Sequence, residues 1–179
     1  MSLASKTPAI ADFIARAAKA RDAKLDVIAR LGGGAIQENW AVNVEIADGP
    51  QAGRYECVLR SDAVSGIAES WPRAREFALI AAAFQHGVTV PEPLWLEPEG
   101  SVIGRPFYVM RRVRGTAHGR RLLRNLEPEA GDALARRLGL ELAKLHRIRP
   151  DHAPPGLDFL PKVGSVLIAT LAAHYHRAL

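Results

Sequence analysis

This chain of 179 residues has one cysteine and no long apolar run, and each shortage excludes a class of protein. Because Cys57 stands alone, the chain has no intrachain disulfide and no zinc site built from cysteines. Its apolar, strand-like surroundings predict a small buried side chain. No stretch of about 18 apolar residues occurs, and the N-terminus lacks the basic and apolar regions of a secretory signal. We therefore expect a cytoplasmic protein that does not span a membrane.

The histidines and serines show no catalytic or metal-binding pattern. The six histidines lack the spacing of a zinc hydrolase, and His174 and His176 fall on different faces of a predicted helix. No serine has a base beside it in the sequence, so nothing indicates nucleophilic catalysis.

The charge is moderately basic, with 24 Lys and Arg against 19 Asp and Glu and a net charge of +5. Such a balance favours anionic partners but does not determine a fold. The arginines are dispersed and several stand among acidic residues, which argues against a nucleic-acid surface. Nucleic-acid binding is kept only as a third hypothesis.

Hydrophobic periodicity predicts strands in the first two thirds of the chain and helices afterwards. Aromatic residues make up only 6%, so the core must be largely aliphatic. Thr7 and Pro8 predict a helix start, with Thr7 as the cap. The predicted strands are 25–31, 40–46, 55–60, 94–96 and 106–113, and the later helices are about 70–87, 120–124, 128–148 and 165–179.

The change of pattern near residue 115 predicts an α+β protein in three parts. These are an N-terminal helix over 1–24, a strand-rich lobe over 25–115 and a helical segment over 116–179.

A glycine run at 32–34 lies between the first two predicted strands. Glycines allow backbone N–H groups to approach a phosphate closely, because no Cβ intervenes. The run is neither a P-loop nor a dinucleotide fingerprint, since no Gly-Lys-Ser/Thr follows and it leads into a strand. It predicts either a phosphate cover or simply a permissive turn.

Arg60 and Glu76 form a second candidate feature. Arg60 ends a predicted strand, where it is either a solvated arginine or a guanidinium that binds phosphate oxygens. Glu76 lies at the edge of the apolar stripe of the next helix. It either reaches inward to Arg60 or pairs on the surface with Arg73 or Arg75.

The apolar strand that ends at Met110 is followed by Arg111 and Val113. A strand leaving a sheet at this point offers free backbone N–H and C=O groups, which adenine can use. The alternative is an ordinary core strand.

These features occur in the order found in one family, which the chain resembles. Taken together, the segments resemble the aminoglycoside phosphotransferase family, within the small-molecule kinases that include choline-kinase-like enzymes. The segments are GGAIQENW (33–40), VLRSD (58–62), REF (75–77), GVTVPEP (87–93), SVIGRPFYVM (101–110) and LAKLH (142–146).

The resemblance implies a protein-kinase-like N-lobe, made of a five-stranded antiparallel sheet plus a helix, and the first helices of a truncated helical C-lobe. It implies ATP with Mg²⁺ as the phosphoryl donor and a small-molecule hydroxyl as the acceptor. By position, Gly33, Gly34 and Asn39 would cover the phosphates. Arg60 would contact them and be held by Glu76. The residues that would line or hydrogen-bond adenine are Met110, Arg111 and Val113.

The chain departs from the family's pattern at two places. Many relatives have lysine where this chain has Arg60. The catalytic loop, His-Gly-Asp with an Asn five residues later, is missing, as is the later metal-binding Asp. Without these groups the transferred phosphoryl is neither positioned nor neutralised.

We therefore expect the N-terminal part of a phosphotransferase that does not turn over alone, with no catalytic or metal residue in this chain. The alternative is a non-catalytic nucleotide-binding or regulatory module. A truncated helical lobe would also leave apolar side chains exposed and favour self-association. The side chains expected to be exposed are Leu134, Leu138, Ile168 and Leu171.

Overall fold

A five-stranded antiparallel sheet and its helices make up the described part of the chain. The computed structural model describes residues 3–32, 37–63, 71–115, 119–124, 126–148 and 156–160. The elements are α1 (Thr7–Ala17), β1 (Ala23–Leu31), β2 (Gln37–Ile46), β3 (Gly53–Asp62), α2 (Arg73–Gln85), β4 (Pro93–Glu97), β5 (Phe107–Arg111), α3 (Gly119–Leu123) and α4 (Pro128–His146). The predicted α+β class and five-stranded sheet are confirmed. The predicted helix at 165–179 lies outside the described residues.

The strand order is β1-β2-β3-β5-β4, so the first three strands form the predicted meander. In β2, Val42, Val44 and Ile46 are buried while Asn43 and Glu45 are exposed. This alternation turns one face of this part of β2 toward a core and the other toward solvent.

The main core lies between the sheet and α1, on what we call the α1 face. Ile10 and Ile14 of α1 have no exposed area and belong to the same buried cluster as Val42 and Leu59. Each such side chain contributes about 1.5–3 kcal/mol through burial. Phe107 of β5 joins this cluster and meets Phe13 of α1 edge to face, with ring centroids 5.4 Å apart.

Cys57 lies in this core with no exposed area, as predicted. Burial raises the pKa of its thiol to about 12. The thiol is therefore protonated and unreactive at neutral pH.

The start of α1 differs from the prediction. Lys6 is the N-cap residue and Thr7 is already helical. The Thr7 hydroxyl donates to the Ala4 carbonyl at 2.9 Å instead of capping the helix. A short 3₁₀ turn, Leu3–Lys6, precedes the helix and supplies that carbonyl.

An irregularity in β1 changes which side chains face which way. The register pairs Val27 with Val42 but Ala29 with Ala41, so Ile28 is an extra residue between them. Ala29 therefore lies on the face opposite Val27, whereas strict alternation of side chains along the strand would put both on one face. Ile28 is 54% exposed as a result.

The helical segment after β5 has little contact with the core in the described residues. None of the α4 residues is buried. Leu134 and Leu138 are 41% and 62% exposed, as expected, while Ile168 and Leu171 lie outside the described residues. Within the described ranges, no helix has the length and apolarity needed to cross a membrane.

Candidate functional site

The face of the sheet opposite α1, which we call the α2 face, carries two adjacent rows of side chains. The strand register aligns Asn39, Arg60 and Tyr108 in a polar row across β2, β3 and β5. The same registers align a second, apolar row across four strands. Its members are Ala29, Ala41, Val58 and Met110.

The two rows are two residues apart along each strand, which separates them by about 7 Å. Ala41 and Val58 are only 2% and 7% exposed, so this part of the apolar row is already buried, whereas Met110 is partly exposed. A ligand with a flat apolar part and an anionic part matches this pattern of surface.

Arg60 and Glu76 face each other, as the sequence had suggested. Two nitrogens of Arg60, Nε and Nη2, donate to Glu76 Oε1 at 3.1 and 2.8 Å. Their side chains are 20% and 24% exposed. The strand and the helix are thus joined by a partly buried ion pair directly on the α2 face.

Arg60 also binds two amides of β2. Its Nη1 donates to Asn39 Oδ1 at 3.1 Å and its Nη2 donates to Gln37 Oε1. Among the described residues these bonds use four of the five guanidinium N–H groups. The remaining N–H and the Asn39 amide group are donors that an anionic ligand could use.

Glu76 binds a second guanidinium through its other oxygen. Arg73 lies three residues earlier on α2, and its Nη1 donates to Glu76 Oε2. The sequence left three partners open for Glu76, and in the structure it binds two of them, Arg60 and Arg73. Arg75, the third candidate, is exposed and its guanidinium lies 5.0 Å from the Phe159 ring centre.

Tyr108 completes the polar row and is 1% exposed. Its ring meets Phe77 of α2 edge to face at 5.8 Å. Burial, and then the Glu76 carboxylate, raise the pKa of Tyr108 well above its usual value. Its hydroxyl therefore stays neutral at any physiological pH.

The end of β5 differs from what the sequence suggested. The Arg111 N–H is not free, because it donates to the Glu92 carbonyl at 2.8 Å. Its side chain pairs in register with Cys57 on the α1 face, where the guanidinium packs on Tyr55 and bonds Glu92. Met110 lies on the α2 face and Val113 is 68% exposed.

The glycines at 33 and 34 lie outside the described residues, but the strand that follows them is held in place. Glu38 of β2 accepts from Arg105 Nη2 at 2.6 Å and lies 3.3 Å from Arg30 Nη2. These contacts tie the start of β2 to β1 and to the turn before β5.

Two later segments contact the residues that flank α2. At its N-terminal end, Phe159 meets Trp71 edge to face at 5.3 Å, and Leu157 is 4% exposed. After its C-terminal end, Thr89 donates from N and Oγ1 to the Glu141 carboxylate of α4 at 2.7 and 2.9 Å. The helix that carries Glu76 is therefore flanked on both sides by residues that contact later parts of the chain.

Sequence reasoning missed Gln37, Asp62 and the apolar row. Gln37 stands two residues before Asn39, so strand periodicity could have placed both on one face. The apolar row depends on the extra residue in β1, which no local sequence signal indicates. In the described residues no group of three His, Cys, Asp or Glu side chains could hold a metal ion.

Comparison with known proteins gives relatives among large enzymes. The chain is similar to acyl-CoA dehydrogenase family member 10 of Mus musculus, with 32% identity over 93 residues, 52% of this chain and 8% of that protein. It is also similar to the probable acyl-CoA dehydrogenase IBR3 of Arabidopsis thaliana, with 32% identity over 112 residues, 62% of this chain and 13% of that protein. The chain thus spans a small part of either relative.

A protein-family comparison covers more of the chain. The profile of the phosphotransferase enzyme family matches residues 27–174, which include most of β1, the other four strands and α2. The five-stranded sheet and this match agree with a protein-kinase-like N-lobe. The chain belongs to the phosphotransferase enzyme family.

Proposed function

We propose that this chain is the nucleotide-binding part of an ATP-dependent phosphotransferase whose acceptor is the hydroxyl of a small molecule. The adenine would lie against the apolar row and the phosphates beside Arg60. The observation that carries the proposal is the adjacency of the apolar row and the Arg60–Glu76 pair on one face of the sheet.

The chemistry of both rows suits this ligand. A purine ring needs apolar walls. In the apolar row Met110 is partly exposed and would contact the ring, while Ala41 and Val58 lie beside it on neighbouring strands as its buried backing. Phosphate oxygens need charge-assisted donors, and the guanidinium of Arg60 is held in one orientation by three neighbours. Gly33 and Gly34 remain candidates for the phosphate cover, and Val113 for the edge of adenine, whereas the Arg111 N–H is already bound to the Glu92 carbonyl.

We propose that the chain binds nucleotide without turning it over. Its sequence has no His-Gly-Asp and no later asparagine in the expected position, so no acid is placed to orient an acceptor hydroxyl. Mg²⁺ would bind through the phosphate oxygens of the nucleotide, where it neutralises their charge. Its protein ligands are not expected among the described residues.

The test is a titration of the purified chain with MgATP and with MgADP, in which binding is measured by isothermal titration calorimetry. We expect saturable binding that weakens at least about tenfold in Arg60→Met, because a charge-assisted hydrogen bond to phosphate is lost. Arg16→Met removes an exposed arginine of α1 and should bind like the parent. Thermal melting of all three proteins checks that they fold.

Failure of the unmodified chain to bind either nucleotide would overturn the proposal. A DNA or RNA oligonucleotide bound in preference to MgATP would favour the nucleic-acid alternative instead. Steady phosphorylation of an added alcohol by the purified chain would contradict the proposed lack of turnover, while leaving nucleotide binding in place.

A further inference from the structure

We propose that Arg73 is a positioning residue, which fixes Glu76 and through it the phosphate-facing guanidinium of Arg60. This inference rests on the proposed nucleotide site. Arg73 is the largest fully buried side chain in the described residues, with 1% of its area exposed. A charge buried to that degree requires partners, since an unpaired one costs several kcal/mol.

The partners of Arg73 connect it to both sides of the helix–strand contact. Its Nη1 donates to Glu76 Oε2, and its Nη2 donates to the Trp71 carbonyl at 2.7 Å. Its Nε lies 2.9 Å from Asp62 Oδ1. Asp62 is two residues after Arg60 on β3, so both lie on the α2 face.

The four charged groups therefore form two ion pairs of opposite direction between α2 and β3. Arg60 of the strand binds Glu76 of the helix, and Asp62 of the strand binds Arg73 of the helix. Arg73 also joins the two pairs by binding Glu76. This arrangement resists rotation of Glu76, because each carboxylate oxygen is bound to a different guanidinium.

A lone Arg–Glu pair would let the carboxylate swing with the arginine. With Oε2 held by Arg73, Oε1 stays at the place where Arg60 Nε and Nη2 converge on it. The guanidinium plane of Arg60 is thereby set before any ligand arrives. Preorganisation of this kind favours binding because less ordering is left to the ligand.

The test compares Arg73→Met, Arg73→Lys and Arg75→Met in the full chain. Arg73→Met keeps an unbranched apolar stem but removes the guanidinium, and Arg73→Lys keeps the charge but not the fork of donors. Arg75→Met is the matched control, since Arg75 is exposed on the same helix.

The first measurement is the exchange rate of the Arg60 Nε proton in spectra of ¹⁵N-arginine-labelled protein without ligand. We expect at least about tenfold faster exchange in Arg73→Met and an intermediate rate in Arg73→Lys, because Glu76 is less firmly held. The Arg75→Met control should match the parent. An unchanged Arg60 signal in a folded Arg73→Met protein would overturn the inference.

The second measurement is the dissociation constant of MgADP. We expect about a tenfold increase in Arg73→Met, the loss of roughly one charge-assisted hydrogen bond, with partial recovery in Arg73→Lys. Equal affinity in parent and variant would contradict the inference. If Arg73→Met fails to fold, Arg73→Lys decides by the same two measurements.

The two proposals can fail separately. A parent chain that binds no nucleotide overturns the proposed function, and the proton-exchange measurement still decides the role of Arg73. A parent that binds nucleotide, with Arg73 variants that match it in both measurements, overturns only the positioning role.

Discussion

Gly49 lies in the turn between β2 and β3 with φ of +84°, a conformation that side-chain-bearing residues rarely adopt. A Cβ at this position would come within 2.7 Å of the Lys19 carbonyl oxygen. That oxygen belongs to the backbone after α1, so it cannot move aside as a flexible side chain would. Gly49 thus allows the β2–β3 turn to pack against the end of α1.

We expect Gly49→Ala to destabilise the protein by at least about 1–2 kcal/mol, the cost of the left-handed conformation. Gly139→Ala is the matched control. Gly139 lies in α4 with no neighbouring atom within 4 Å of an added Cβ. The Gly139→Ala substitution should stabilise the protein by about 0.5–1 kcal/mol, because alanine favours a helix.

Urea denaturation followed by circular dichroism measures both changes. A Gly49→Ala protein as stable as the parent would contradict the close approach to Lys19.

At the residue scale, Arg60 and Glu76 also show what spacing along the chain can predict. A basic residue at a strand end and a glutamate at the edge of a helix stripe were enough to suggest the pair. Their spacing did not indicate that Arg73 would share Glu76, because burial of Arg73 depends on how α2 lies on the sheet.

At the scale of elements, a single carboxylate joins α4 to the strand-rich part of the chain. Glu141 accepts from Lys144 Nζ at 2.8 Å and from the backbone and hydroxyl of Thr89. Lys144 and then Thr89 lower the pKa of Glu141 to about 2, from an ordinary value of 4.5. Thr89 lies four residues after the end of α2, so this contact links the segment that follows the Glu76 helix to α4.

This pKa has a consequence for stability in acid. Because the pKa is lower in the folded state, the unfolded chain binds more protons at pH values between about 2 and 4.5. The contribution of Glu141 to stability is therefore complete above pH 4.5 and is lost as the pH falls toward 2.

We expect Glu141→Gln to be less stable than the parent at pH 7, with a difference that shrinks below pH 4.5. Urea midpoints at pH 7, 5 and 3 measure it. Glu129→Gln removes another charge from α4 away from Thr89 and is the control. A difference between parent and Glu141→Gln that stays constant from pH 7 to pH 3 would show that the carboxylate contact is not formed.

At the scale of the whole molecule, α4 presents an apolar face to solvent. Leu134, Leu138, Leu142 and Leu145 follow at steps of three and four residues and are 41–62% exposed. A row of exposed leucines of this length is unusual for a soluble monomer.

We expect the chain to self-associate through this face. Light scattering should give a mass above the 19.4 kDa of one chain. The double variant Leu138→Lys with Leu142→Lys should shift it toward the monomer, because charged side chains disrupt apolar packing. Leu140→Lys changes an exposed leucine on a different face of α4 and should have little effect. A monodisperse monomer for the unmodified chain would contradict the prediction.

The sequence by itself determined the order and type of the elements. Strict alternation in β2, the turn at 48–53 and the stop at Gly87 are local signals, and local signals depend only on neighbouring residues. The motif order also indicated the family, and with it the five-stranded sheet. The strand and helix ends differ from the predictions by a few residues, since pairing across the sheet sets them.

Only the tertiary structure decided which side chains meet. The extra residue in β1 moves Ala29 onto the α2 face, and the packing of α2 buries Arg73 behind Glu76. Pairing of β5 in the sheet also turns the Arg111 side chain toward the α1 face, and the Arg111 N–H is bound to the Glu92 carbonyl. These outcomes depend on register and on contacts between residues far apart in the chain, and a one-residue change in register reverses the face of every side chain that follows.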